Sequence, residues 1–395
     1  MKVAQINVTC GQGSTGKIGE SISQLMLQKN IENRIFYSEG RSSYPLSVKY
    51  MNKCEEKLGA LESRIFGNYG FESYFATKRL LSLLESFNPD IVHLHNLHSH
   101  NCNLELLFDY IKKKKIKVIW TFHDCWAFTG YCPYFTMIGC DKWKICCGDC
   151  PLKSSFTFFK DKSVEMWKKK RNSFNGADLM IVTPSQWLAD LVKQSFLKDY
   201  PAKVINNGID LEIFKPTTSD FREKHDLKDK YIILGVAFDW GKRKGLDVFI
   251  ELAKRLDDRF KIVLVGTNDK VDKLLPDNII SIHRTNNQTE LAEIYTAVDL
   301  FVNPTREENY PTVNMESVAC GTPVLTFKTG GSWEMLNEKT GYFVDVDDID
   351  GMKKQIEKIC IGKVFSAEDC IERAKFFDKD LKFQEYVKLY ESLRI

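Results

Sequence analysis

Glu308 and Glu316 stand eight positions apart in Glu308-Asn309-Tyr310-Pro311-Thr312-Val313-Asn314-Met315-Glu316. A polar, proline-containing loop carries the first carboxylate, and helix-compatible residues carry the second. The strand-like residues 299–304 precede them, and Gly321-Thr322-Pro323-Val324-Leu325 and the diglycine Gly330-Gly331 follow. The stretch reads as strand, loop, helix, glycine-terminated helix end and strand. Such a loop presents backbone N–H groups at a helix N-terminus, where an anion can sit. The carboxylates can accept hydrogen bonds from sugar hydroxyls. In isolation, two acids at a solvated helix N-terminus would look the same. A basic pair, Arg243-Lys244, precedes Gly245 after the strand-like residues 231–236. An arginine fork and a lysine point charge at a helix N-terminus suit a diphosphate, although a solvated basic turn has the same composition.

The elements that must position these groups alternate along the chain. Strand candidates are 3–8, 34–37, 91–94, 117–121 and 179–183, then 231–236, 261–265, 279–283, 300–303, 324–327 and 342–344. Helical patterns at 16–28, 76–86, 104–113, 185–194, 245–256, 290–297, 314–319 and 350–358 lie between them. Alternating β and α predicts parallel sheets covered on both faces, an α/β protein of two Rossmann-like domains facing a ligand cleft. The expected boundaries are 1–205, 206–375 and a charged terminal helix, 376–395, crossing back to the first domain. The turn signal Asn207-Gly208 sits at the joint.

With 395 residues, 43% of them hydrophobic, 28% charged and a net charge of +3, the chain is an ordinary globular protein. That charge does not argue for nucleic acid. No apolar run reaches the ~18–20 residues that span a bilayer. The first residues read as a strand and not as a signal peptide, so the expected location is cytoplasmic.

With their flanks, the carboxylates resemble the glutamate pair of retaining, nucleotide-sugar-dependent glycosyltransferases of family 4. Glu308, Glu316, Ser317, Ala319, Gly321, Pro323, Val324, Gly330 and Gly331 fit that family's pattern. The resemblance implies a GT-B fold, with Glu308 on the donor sugar and Glu316 on the ribose. It places the loop Asn309, Tyr310, Pro311, Thr312 and Val313 at the donor, and Arg243 with Lys244 at the diphosphate. Many relatives carry Arg directly after the strand glycine; here Val236 stands there, so Arg243 must supply that guanidinium or Lys244 and backbone hold the phosphate alone. The edge at Ile282 is expected to meet the base, with UDP taken ahead of GDP. The segments 183–188 and 207–216 are similar to the family's interdomain passage. No metal or other cofactor is expected in the chemistry, with the charge on the leaving diphosphate balanced by Arg and Lys side chains and helix dipoles.

The first loop, Gly11-Gln12-Gly13-Ser14-Thr15-Gly16-Lys17-Ile18, is nearly a phosphate-binding P-loop, but Ile18 stands where Ser or Thr would hold Mg²⁺. The better reading is the glycine-rich loop of a two-Rossmann transferase, with Gly13, Ser14, Thr15 and Gly16 approaching the donor phosphate. A P-loop-like nucleotide hydrolase and a non-catalytic nucleotide-sugar-binding protein are the alternatives. His123 at a strand end is the expected group on the sugar or transition state, oriented by Asp124. His93 and His95 share a strand face by period-2 spacing and, with Asn96, are expected on the acceptor side.

Six of the twelve cysteines lie between Cys125 and Cys150. Cys147-x-x-Cys150 with Cys132 and Cys140 could supply four thiolates to a structural zinc; disulfides and free thiols remain open beside it. The insertion 125–151 is expected to clamp an acceptor-side loop. Its aromatic residues Trp126, Phe128, Tyr131, Tyr134, Phe135 and Trp143 could stack on sugars, touch lipid or pack the loop. The resemblance implies a glycan or lipid-linked saccharide acceptor in bacterial surface-polysaccharide synthesis. It also implies peripheral contact with anionic lipid at the inner face of the plasma membrane, through basic runs 112–117 and 168–171.

Overall fold

The computed structural model of the chain describes residues 1–393; the last two residues of the expected terminal helix lie outside them. It divides into two compact units, residues 1–206 with the chain from Lys382 onward, and Asn207–Leu381.

In the first unit seven strands form one parallel sheet. They are β1 (Lys2–Asn7), β2 (Glu32–Tyr37), β3 (Ser47–Lys49), β4 (Ile91–Leu94), β5 (Lys117–Thr121), β6 (Leu179–Thr183) and β7 (Ala202–Val204). Their spatial order is β3-β2-β1-β4-β5-β6-β7. The central strands are buried almost throughout, as helices on both faces require. The chain direction reverses between β1 and β4, so the loops after those strands flank the crevice where doubly wound sheets bind ligands. The terminal helix Lys379–Ser392 sends Phe383, Tyr386, Val387, Leu389 and Tyr390 into a core shared with Val3, Ile18 and Ile22.

The second unit has six parallel strands. They are β8 (Tyr231–Val236), β9 (Phe260–Val265), β10 (Ile279–Ile282), β11 (Leu300–Asn303), β12 (Val324–Phe327) and β13 (Gly341–Val344), in the order β10-β9-β8-β11-β12-β13. Here the reversal lies between β8 and β11. The two loops singled out by their charges, 237–245 and 304–311, follow those strands directly. Among the described residues no helix is long and apolar enough to cross a membrane.

Several local expectations are corrected. The glycine-rich stretch is not an open loop: a helix runs Gly13–Gln28, so Gly13, Ser14, Thr15 and Gly16 form its first turn. Gly16 packs tightly, since a Cβ there would lie 2.7 Å from Thr9 Oγ1. Ile18 is buried in the core, which accounts for an apolar residue where a P-loop needs a hydroxyl. The helix Lys53–Phe66 was missed, although Leu58, Leu61 and Ile65 recur along it at helical spacing; that stripe faces solvent and only Gly59 and Ser63 are buried, and an Asn52–Glu55 capping box and the left-handed Gly67 (φ 64°) bound the helix. Trp126, Phe128, Tyr131, Phe135 and Trp143 are buried and pack the loop. Within the basic run 168–171, Lys170 is fully buried.

Candidate functional site

The two charged loops of the second unit are tied together. Gly245, at φ 75°, lies so close to the chain after β11 that a Cβ would fall 2.4 Å from Pro304 O; only glycine suits both conditions. The approach is sealed by Arg306 N–H donating to Arg243 O at 2.8 Å and by Arg243 Nη1 donating to Glu307 O at 3.4 Å. Lys244 Nζ then meets Glu308 Oε2 at 2.5 Å, with both side chains about one-fifth exposed or less. Glu308 Oε1 also accepts from the N–H of Asn309 at 3.0 Å. The carboxylate on the loop and the cation at the short turn Lys242–Lys244 therefore face one point at the sheet's switch.

Arg306 pins this arrangement and was not singled out in the sequence. Its buried guanidinium reaches both carboxylate oxygens of Asp247 at 2.8 Å and Asp347 at 2.7 Å, and also donates to Lys242 O. Its partners are 59 and 41 positions away, so no local pattern announces it.

Glu316 lies on the helix Thr312–Ala319, which starts two residues earlier than expected, after Pro311. It is buried, and Tyr295 O–H donates to its Oε2 at 3.4 Å. Burial, with Glu316 adding to it, pushes the Tyr295 phenol far up, so Tyr295 stays a hydrogen-bond donor. Asn309, Tyr310 and Pro311 are buried, and Thr312 and Val313 partly so. The O of Asn309 accepts from Gly331 N–H at 2.7 Å, tying the diglycine to the loop. Ile282 ends β10, half-buried. Beside it Asp269, Asp272 and His283 bring ligand atoms within 4.8 Å of one another; a 2.5 Å pairing of His283 with Asp272 accounts for that closeness.

In the first unit His95, Asn96, His98, His123 and Asp124 line one cavity of about 10 Å³ at the ends of β4 and β5. His93 does not join it. His93 is buried between Tyr390 O–H at 2.7 Å and Thr121 Oγ1 at 2.8 Å, with its ring 4.1 Å from that of His95. The tautomers follow from one amide. Gln5 Nε2 donates to Gly19 O at 3.0 Å, which leaves Gln5 Oε1 as acceptor toward His95 Nε2 at 3.0 Å. His95 Nδ1 must then accept, and His123 Nε2–H donates to it at 3.2 Å. In neutral His123 the proton sits on Nε2 and Nδ1 is the acceptor. Burial draws His123 down to about 4 and His93 to about 3, so both are neutral near pH 7. Burial alone would raise Asp124, but the charge of His98 and its 2.8 Å contact, with the Trp126 N–H, hold the carboxyl below its usual value.

Gly13, Ser14 and Thr15 stand at the N-terminus of their helix with Gly13 and Ser14 exposed, while Gly16 is buried. Cys132, Cys140, Cys147 and Cys150 surround a separate cavity of about 20 Å³ in the first unit. None of the twelve cysteines forms a disulfide.

Two doubly wound parallel sheets, the second carrying a lysine–carboxylate pair at its switch point and a buried glutamate eight residues on, are the architecture of a GT-B glycosyltransferase. The chain belongs to the glycosyltransferases: residues 28–213 match the family described as Glycosyltransferase Family 4, and residues 217–376 match Glycosyl transferases group 1. It is 23% identical, over the whole length of both chains, to an Escherichia coli (strain K12) protein named as the colanic acid biosynthesis glycosyl transferase WcaC. Over 51% of this chain and 57% of the relative it is 25% identical to the N,N'-diacetylbacillosaminyl-diphospho-undecaprenol alpha-1,3-N-acetylgalactosaminyltransferase of Campylobacter jejuni. Its fold is similar to that of Anabaena HepE, solved in complex with UDP, with a TM-score of 0.72 at 14% identity over 99% of this chain and 100% of that one.

Proposed function

We propose that the protein moves a sugar, with retention of configuration, from a nucleoside diphosphate sugar to a hydroxyl of a glycan or lipid-linked saccharide in bacterial surface-polysaccharide synthesis. The observation that carries this reading is the meeting of Lys244 and Glu308 at the switch point of the second sheet, with Glu316 one helix turn inside. Lys244 and Arg243 hold the diphosphate, and no divalent metal takes part. Glu308 and the loop Asn309, Tyr310, Pro311, Thr312 and Val313 hold the sugar, Glu316 the ribose, and Ile282 the edge of the base. UDP is the proposed carrier; WcaC and the Campylobacter jejuni transferase support a glycan or lipid-linked acceptor.

On the acceptor side, His123 and Asp124 serve the sugar or transition state, His95 and Asn96 stand behind them, and His93 holds the sheet. Gly13 to Gly16 offer backbone N–H groups at a helix N-terminus. Cys132, Cys140, Cys147 and Cys150 clamp the loop after Asp124 and take no part in bond making. The enzyme works in the cytoplasm at the inner face of the plasma membrane. Support for lipid contact comes from exposed Leu58, Leu61, Ile65 and Phe66, with exposed Phe158 alongside, whose N–H donates to Arg64 O at 2.8 Å.

Titration calorimetry with UDP, GDP and ADP in EDTA tests the donor reading. UDP is expected to bind, and Glu316→Ala to weaken it at least about tenfold through lost ribose hydrogen bonds. Equal affinity in wild type and variant overturns the assignment of Glu316.

A further inference from the structure

The clamp after Asp124 has the features of a metal centre. Cys132, Cys140, Cys147 and Cys150 come from three different turns, yet all line one cavity, which at about 20 Å³ is the size of a single small guest. No carboxylate or histidine lines it, and beside the hydroxyl-bearing Tyr131 and Ser163 the four thiols are its metal-ligating groups, a set that suits zinc among the common divalent ions. The sulfurs are not drawn as tightly as a bound ion would draw them. Among the described residues, only Asp269, Asp272 and His283 bring three ligand atoms within 4.8 Å of each other. A tetrahedral zinc thiolate needs sulfurs about 2.3 Å from the metal, so an ion would draw buried Cys132 and half-buried Cys140, Cys147 and Cys150 together.

Three independent observations suit thiolates at this place. The N–H of Gly130 points at Cys147 Sγ at 3.2 Å, the kind of donor that supports a metal-bound sulfur. Lys142, which lines the cavity, donates to the carbonyls of Gly148 and Asp149 at 2.9 and 3.1 Å and so closes the Cys147–Cys150 turn. Lys170 is fully buried. It donates to Trp126 O at 2.7 Å and Thr129 O at 3.1 Å, lies 3.6 Å over the Trp126 ring, and makes no ion pair with a carboxylate among the described residues. A buried ammonium without a counter-charge is costly. Burial draws the Lys170 amine down to about 7, and Cys147 and Cys132, ahead of Asp124 and Glu72, act against that fall. Four thiolates around Zn²⁺ carry a net charge of −2, which Lys170 and Lys142 would balance.

We propose that Cys132, Cys140, Cys147 and Cys150 bind one structural zinc ion, with Lys170 as its buried counter-charge. The ion locks residues 125–151 onto the helix Ser163–Phe174, which carries Lys170, and so holds Trp126, whose N–H donates to Asp124 Oδ1 at 2.8 Å. Binding releases the thiol protons to solvent and involves no redox step.

The test is metal analysis of the full-length protein purified under reducing conditions without added metal, a readout separate from any transferase assay. About one zinc per chain is expected, released in step with mercurial titration of the thiols. Cys147→Ser and Cys150→Ser should lose it, and Cys54→Ser, on an exposed cysteine outside the cluster, should retain it. Should the serine variants fail to fold, cobalt exchange into the wild-type protein decides: thiolate-to-cobalt charge-transfer bands with a tetrahedral ligand-field spectrum support the site. Folded wild-type protein with no zinc and no cobalt spectrum overturns it, as does an intact mass lacking the hydrogens that disulfides remove.

Discussion

In the ligand-free protein Lys244 is already occupied. Its ammonium lies 2.5 Å from Glu308, and the side chains are 20% and 16% exposed. A diphosphate must therefore compete with Glu308 for the cation, and the two residues should affect nucleotide binding in opposite directions. Lys244→Met removes a charge-assisted contact worth about 1.5–3 kcal/mol, so UDP should bind roughly 10- to 100-fold more weakly. Glu308→Gln removes the competitor. A partly exposed ion pair is worth up to about 1 kcal/mol, so UDP affinity should rise by no more than about fivefold while sugar transfer falls. In the Lys244→Met background, Glu308→Gln should leave UDP affinity unchanged, because no cation remains to be released. Calorimetric titration of UDP against the four proteins measures the cycle. If Glu308→Gln weakens UDP as much as Lys244→Met does, or if Lys244→Met changes nothing, the competition argument fails.

Three further outcomes follow from the same geometry. Arg306→Met leaves Asp247 and Asp347 without their guanidinium; because both are about half exposed, the cost should be about 2–3 kcal/mol rather than the figure for a buried pair, a fall in Tm of roughly 5–10 °C by calorimetry. Gln5→Leu removes the acceptor that orients His95, so nitrogen NMR should show His123 passing from the Nε2–H form to a mixture of tautomers; an unchanged pattern would refute the relay. Buried, neutral His123 and His93 protonate in the unfolded chain near pH 6.5 but in the folded protein only near 4 and 3, so the unfolded state binds more protons in between. Stability should hold above about pH 6.5 and fall as pH drops toward 4, by about 3 kcal/mol for His123 alone, and urea midpoints at pH 7 and 5 that coincide would contradict this.

The parts of this account legible in the sequence are those with local causes. Strand–helix alternation predicts two parallel sheets because each strand carries its own apolar run, and Glu308, Glu316 and Lys244 stand out because their flanking glycines and prolines mark strand and helix ends. What escaped depends on distant partners. Arg306 looks like any loop arginine until Asp247 and Asp347 are brought to it. Lys170 sits in a run of four basic residues, and only the packing of its helix against Trp126 shows that it points inward. The expected open loop at Gly13–Gly16 is a helical turn because Gly11 bends the chain and Gly16 packs against Thr9, and glycine count alone cannot separate those cases.

The central claim is that the second unit holds a sugar donor which the protein transfers. The most direct test is nucleotide release from a panel of UDP-sugars in EDTA, with and without isoprenoid-linked saccharide acceptors, for wild type and Glu308→Gln. The account predicts release of UDP that depends on the acceptor, persists in EDTA and is lost in the variant. Phosphate release from a nucleoside triphosphate that needs Mg²⁺ and no acceptor, with the UDP-sugars untouched, would contradict it.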